Sequence, residues 1–183
     1  LTESILLKCN TTTLIYKPAT RLVIVKRYLI IIPNQAELEI GFPFWLKKVL
    51  NLGANSGAKL VFYASNETSK IIKEKEPLNS SSIDFRVLDS WEDMPALSKG
   101  FKKDDILIIV LSRKDKPSYH NSMEMTPSYL NNYFKDKGFI LIYPAQEGVW
   151  DSSKVDFRNA SFVDPVNKLD KIAKSVIKKL KRN

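Results

Sequence analysis

The stretch Lys103-Asp104-Asp105-Ile106-Leu107-Ile108-Ile109-Val110-Leu111-Ser112-Arg113-Lys114 decides how the chain is read. Two acids lead into six unbroken apolar residues, most of them β-branched, and a polar, basic loop follows. A run with no polar face fits a strand buried on both sides, as in a parallel sheet covered by helices. In such sheets ligands bind just past the carboxyl ends of the strands, near the point where strand order reverses. Ser112, Arg113 and Lys114 are therefore the first residues to weigh as a ligand site. Asp104 and Asp105 fall at the opposite end and are read as shaping a turn.

Outward from this strand the same grammar repeats. Tyr28 to Ile32 is a second buried strand, closed by Pro33 and followed by an Asn34-Gln35 loop. Phe42, Leu46, Val49, Leu50 and Gly53 then fall on one face at helical spacing, and Gly57 is placed to end that helix. Glu37 and Glu39, just ahead of it, suit the positive end of the helix dipole. Lys59 to Tyr63 is the next strand, Asn66 is expected to cap a short helix stopped before Pro77, and Ile83 to Leu88 alternates like an edge strand. A short helix is expected at residues 91–99, with Gly100 as its terminator. Another starts at Pro127 and runs to about Lys137, burying Leu130 and Phe134. Phe139 to Tyr143 closes the series.

Five strands alternating with helices through short joints predict an α/β domain over residues 27–145: a doubly wound, mostly parallel five-stranded sheet in a Rossmann-type three-layer arrangement. Residues 1–26 read as the last helix and strand (residues 12–17) of a preceding similar domain plus a connector. Residues 146–183 read as a polar linker and a basic amphipathic helix, whose apolar stripe is Val166, Leu169, Ile172, Ala173, Val176, Ile177 and Leu180. Because the chain begins inside an expected helix, it reads as a fragment of a longer protein.

Composition narrows the function classes. The chain has 183 residues, 44% hydrophobic and 27% charged, which suits one ordinary globular core. Its apolar runs are too short to span a bilayer. One cysteine, Cys9, rules out an internal disulfide, and one histidine, His120, cannot build a histidine metal site. Net charge is +9, but the helix from Lys168 to Arg182 supplies +6 of it, which argues against a nucleic-acid footprint over the whole domain.

Several segments together are similar to the C-terminal cytoplasmic region of bacterial sodium/proton (cation:proton) antiporters, which carries universal-stress-protein-like domains. They are Tyr28-Leu-Ile-Ile-Ile-Pro-Asn-Gln-Ala-Glu37, Gly41-Phe-Pro-Phe-Trp-Leu46, Gly57-Ala-Lys-Leu-Val-Phe-Tyr-Ala64, Lys103-Asp-Asp-Ile-Leu107, Ser112-Arg-Lys114, Ser118-Tyr-His120 and Phe139-Ile-Leu-Ile-Tyr-Pro144. The resemblance covers about residues 27–144. It implies a non-enzymatic regulatory or assembly domain on the cytoplasmic side of the inner membrane, part of an integral membrane protein. Its implied partners are the antiporter's membrane domain and a second similar domain, as a homodimer or a tandem pair. Because such domains associate through their last strand, residues 12–17 are expected to pair along residues 139–143. Family members that bind ATP carry an aspartate after the first strand and a Gly-x-x-Gly-x9-Gly-Ser/Thr loop after the fourth. Here Pro33-Asn34-Gln35 and a glycine-free Ser112–Ser122 loop stand in those places, so no cofactor is expected.

Candidate contacts follow from position. A ligand, a nucleotide included, would meet Asn34, Ser112, Arg113, Lys114, Ser118, Tyr119 and His120, with Arg113 and Lys114 supplying charge-assisted bonds to an anion. Histidine changes charge between about pH 5 and 8, which makes His120 a candidate pH sensor. Lys168, Lys171, Lys174, Lys178, Lys179 and Lys181 are candidate contacts to an anionic membrane surface or a partner. No metal-ligand spacing and no Ser/His/Asp order is found. The competing readings are a nucleotide-binding sensor and, less well supported, a basic nucleic-acid-binding module.

Overall fold

The computed structural model describes residue 9 and residues 11–19, 25–75 and 82–146. The chain divides into two units, Leu1–Gly148 and Val149–Asn183, and all described residues belong to the first. The readings made for residues 1–8 and for the lysine-rich helix lie outside the described residues.

Six strands form one sheet in the order β1-β6-β5-β2-β3-β4. They are β1 (Thr13–Lys17), β2 (Arg27–Ile31), β3 (Lys59–Ala64), β4 (Ile83–Val87), β5 (Asp105–Val110) and β6 (Gly138–Tyr143). Strands β2 to β6 are mutually parallel; β1 alone runs antiparallel, along β6. This is a Rossmann-like α/β sheet. Strand order reverses between β5 and β2, because the chain leaves β2 towards β3 and leaves β5 towards β6.

The alternation of side chains divides the core between two faces. Tyr28, Ile30, Ile106, Ile108 and Val110 pack with Phe42, Trp45, Leu46 and Val49 of helix α1 (Phe42–Ser56) and with Ile72 of helix α2 (Asn66–Lys75). Leu29, Ile31, Leu107 and Ile109 pack on the other face against Trp91 and Met94 of a 3-10 segment (Trp91–Gly100) and Leu130 of helix α3 (Thr126–Tyr133). The unbroken run at 106–111 is explained by this: every residue of β5 is buried, half on each face. Burying each such side chain contributes roughly 1.5–3 kcal/mol, and β5 is the sheet's main anchor.

Strand β1 pairs with β6 over five residues, from Thr13 opposite Tyr143 to Lys17 opposite Phe139, as the expected strand pairing requires. Leu14 and Tyr16 lie on the α1 side of the sheet and stay 45% and 40% exposed.

Several local readings are corrected. The 91–100 segment is a 3-10 helix: Pro95 lacks the N–H that an α-helical ladder needs there. Helix α3 stops at Tyr133 and is preceded by a separate 3-10 turn, Asn121–Met125. Helix α2 is capped by Ser65, whose hydroxyl accepts from the Thr68 N–H at 3.2 Å, and not by Asn66. Asp105 does more than shape a turn. It is 3% exposed and receives Arg27 Nε at 3.0 Å and Arg27 Nη2 at 2.5 Å, while its Oδ2 also accepts the Lys102 N–H at 2.6 Å. The pair joins the first residues of two neighbouring strands.

Candidate functional site

A cavity of about 290 Å³ opens at the carboxyl end of the sheet. Its walls are three loops: residues 32–35 after β2, residues 88–91 after β4, and residues 117–120 from the long loop after β5. It therefore lies beside the reversal point between β2 and β5, where a doubly wound sheet leaves a crevice because neighbouring connections depart to opposite faces.

The structure brings four of the seven sequence candidates to this cavity: Asn34, Ser118, Tyr119 and His120. Ser112, Arg113 and Lys114 are not among its lining residues. Ser112 is buried and donates to Glu39 Oε1 at 2.5 Å. Arg113 Nη2 donates to the Cys9 carbonyl at 2.5 Å, which ties the loop to the segment just ahead of β1. Lys114 Nζ lies 2.7 Å from Glu124 Oε1. These three side chains contact protein groups, and the residues six positions on, Ser118, Tyr119 and His120, line the cavity.

Glu39 was read as a helix-dipole residue, and the structure gives it a different place. It is 7% exposed, and its Oε1 accepts from both Ser112 and Ser118, while Oε2 has no hydrogen-bond partner. An unsatisfied buried acceptor costs about 1–3 kcal/mol, more when charged. Ser118 thus connects the cavity wall to a carboxylate directly behind it. Glu37 also serves a neighbour, accepting from Thr68 Oγ1 at 2.7 Å.

Backbone strain marks the same place. Gln35 is the one non-glycine residue with positive φ among the described residues, at 64°. It lines the cavity, and such left-handed conformations cost of order 1–3 kcal/mol and gather at binding sites.

The opposite wall comes from residues 89–91. Trp91 is buried, and its Nε1–H donates to Thr126 Oγ1 at 3.3 Å, fixing the ring against the start of α3. Ser90 caps the 3-10 segment and donates to Glu92. Ser122 donates to the other Glu92 oxygen and lies 3.1 Å from His120 Nδ1. The Ser122 and Ser90 hydroxyls hold the Glu92 carboxyl down at about 2, against an ordinary 4.5. Tyr119 donates to Glu124 at 2.9 Å, and Lys114, then Tyr119, hold Glu124 below the usual carboxylate range. The one signal for this wall in the sequence was position: Asp89-Ser90-Trp91 directly follows a strand's carboxyl end.

A pH dependence follows. The folded Glu92 value lies below the ordinary one, so the unfolded chain takes up the proton first as pH falls. The tie between the 90–92 turn and the 118–125 loop is therefore fully present above about pH 4.5 and is lost as pH falls through about 2. Amide protection across residues 118–125, taken relative to the intrinsic exchange rate at each pH, is expected to stay high at pH 4 and fall towards pH 2. Glu92→Gln should make exchange fast throughout; an unchanged acid profile in that variant would contradict the tie.

Among the described residues no group of three or more His, Cys, Asp or Glu is placed to hold a metal ion, and no helix is long and apolar enough to cross a membrane. No protein-family model matches the chain, and none of the curated proteins matches it.

Proposed function

We propose that this chain is a non-enzymatic regulatory and assembly domain of universal-stress type, carried on the cytoplasmic side of the membrane by a monovalent cation:proton antiporter. The observation that supports it best is the edge of the sheet. A strand from outside the five βα units runs antiparallel along β6 for five residues, in the place that a second domain's strand would take. The edge used for association in such domains is thereby occupied from within the chain, as a tandem pair would require. The lysines from Lys168 to Lys181 are assigned to an anionic membrane surface or to the transporter itself. A nucleotide sensor is the competing reading. It is favoured by the cavity's position and weakened by its lining, which offers phosphates no Lys or Arg among the described residues.

Two measurements test the proposal. Chain lacking residues 1–19 should dimerise or aggregate through the uncovered β6 edge, and light scattering would read this against the full chain. A truncated chain that remains monomeric and fully soluble would remove the assembly role. In vesicles holding the antiporter, deleting residues 27–145 should alter the rate or pH dependence of cation-driven proton flux without abolishing exchange. Flux identical to that of the intact transporter would remove the regulatory role.

A further inference from the structure

We propose that the cavity between the loops after β2, β4 and β5 binds a small organic cation, an amine or guanidine carried on a compact body. The argument rests on where the hydroxyl protons of its wall go. A hydroxyl has one proton to donate and two lone pairs that accept. Ser118 gives its proton to Glu39, Ser90 gives its to Glu92, and Tyr119 gives its to Glu124. Each of the three residues lines the cavity, and each has its proton held by a carboxylate. What remains for a ligand is lone pairs. The indole N–H of Trp91 is likewise taken by Thr126.

The charges point the same way. Among the described lining residues Asp89 is the single acidic side chain, and no Lys or Arg is present. Behind Ser118 stands Glu39, more than nine-tenths buried, with Oε2 lacking a donor. Two further carboxylates, Glu92 and Glu124, accept the protons of Ser90 and Tyr119, and Glu124 also pairs with Lys114. The donors that do line the cavity, on Asn34, Gln35 and His120, belong to exposed residues. An anionic ligand would meet acceptors and negative charge. An ammonium or guanidinium would meet its complement, with the aromatic side chains of Trp91 and Tyr119 also in the lining. At about 290 Å³ the space is at the small end of ligand pockets, which sets the compact size.

The inference does not depend on the antiporter or on the edge strand, and its test reads neither. Full-length chain would be titrated calorimetrically with agmatine and with methylguanidine, and separately with ATP, AMP and inorganic phosphate. Saturable binding of agmatine or methylguanidine is expected, with none of the phosphates binding or competing. Asp89→Asn is expected to weaken the cation about two- to fivefold, the effect of losing one solvent-exposed ion pair. Because Asp89 is exposed, its replacement leaves the core intact; Ser90→Ala is a second variant expected to weaken binding. The proposal is overturned if neither cation saturates, if both variants bind like the unaltered chain, or if ATP or phosphate displaces the cation.

Discussion

Asp105→Ala is expected to lower the unfolding free energy by roughly 3 kcal/mol, the low end of what breaking a buried ion pair costs. The low end applies because Arg27 keeps 22% of its side chain exposed while Asp105 keeps 2%. Removing the carboxylate leaves three donors without an acceptor: Arg27 Nε, one of the bonds of Arg27 Nη2, and the Lys102 N–H. Arg27 Nη2 would retain only the Gly100 carbonyl at 3.1 Å. Urea titration of the two chains measures the loss, and a difference below about 1 kcal/mol would show that the pair is not a stabilising contact. The double replacement Arg27→Met with Asp105→Leu should recover most of the stability, since a well-packed apolar pair can substitute for a buried ion pair. By contrast Lys26→Ala, which removes a 3.9 Å surface pair with Asp104, should change stability little.

Gly41→Ala is the second large effect, expected at roughly 1–3 kcal/mol. Gly41 has φ −72°, a conformation any residue adopts, so backbone strain is not the cause. The cause is contact: an added Cβ would lie 2.6 Å from the Ala145 nitrogen and 2.6 Å from Pro144 Cβ. The nearest of these is backbone and cannot swing aside. Either the 39–41 turn or the end of the β6 segment must move, and a moved turn carries Glu39 away from Ser112 and Ser118. Gly100→Ala is the control, because nothing lies within 4 Å of its added Cβ. Thermal melts that place Gly41→Ala and Gly100→Ala level would refute the close approach.

The sheet was legible because its strands are short apolar runs punctuated by residues with one local meaning. Gly57 at φ 66° ends α1 as its position implied, and the six apolar residues from Ile106 are buried on two faces as their lack of alternation required. The site was less legible because its contacts are remote in sequence. Glu39 meets Ser112 and Ser118 across 73 and 79 residues, and nothing local distinguishes it from Glu37. The basic run Arg113-Lys114 drew attention to phosphate because charge is visible in a sequence. Which way a hydroxyl proton points is not, and that direction sets the polarity of the cavity.

The edge strand has a consequence for synthesis. Thr13 and Tyr143, which face each other across β1 and β6, are separated by about 130 residues of chain. At ribosomal rates of ~5–20 residues/s, β1 waits roughly 6–26 s for its strand neighbour β6 to be made. The five parallel strands can assemble without it, since every pairing among β2 to β6 is internal to residues 27–143. Of the described strands β1 is the earliest made and is therefore the last to be seated, and until then Leu14 and Tyr16 are open to chaperones or to a neighbouring nascent chain.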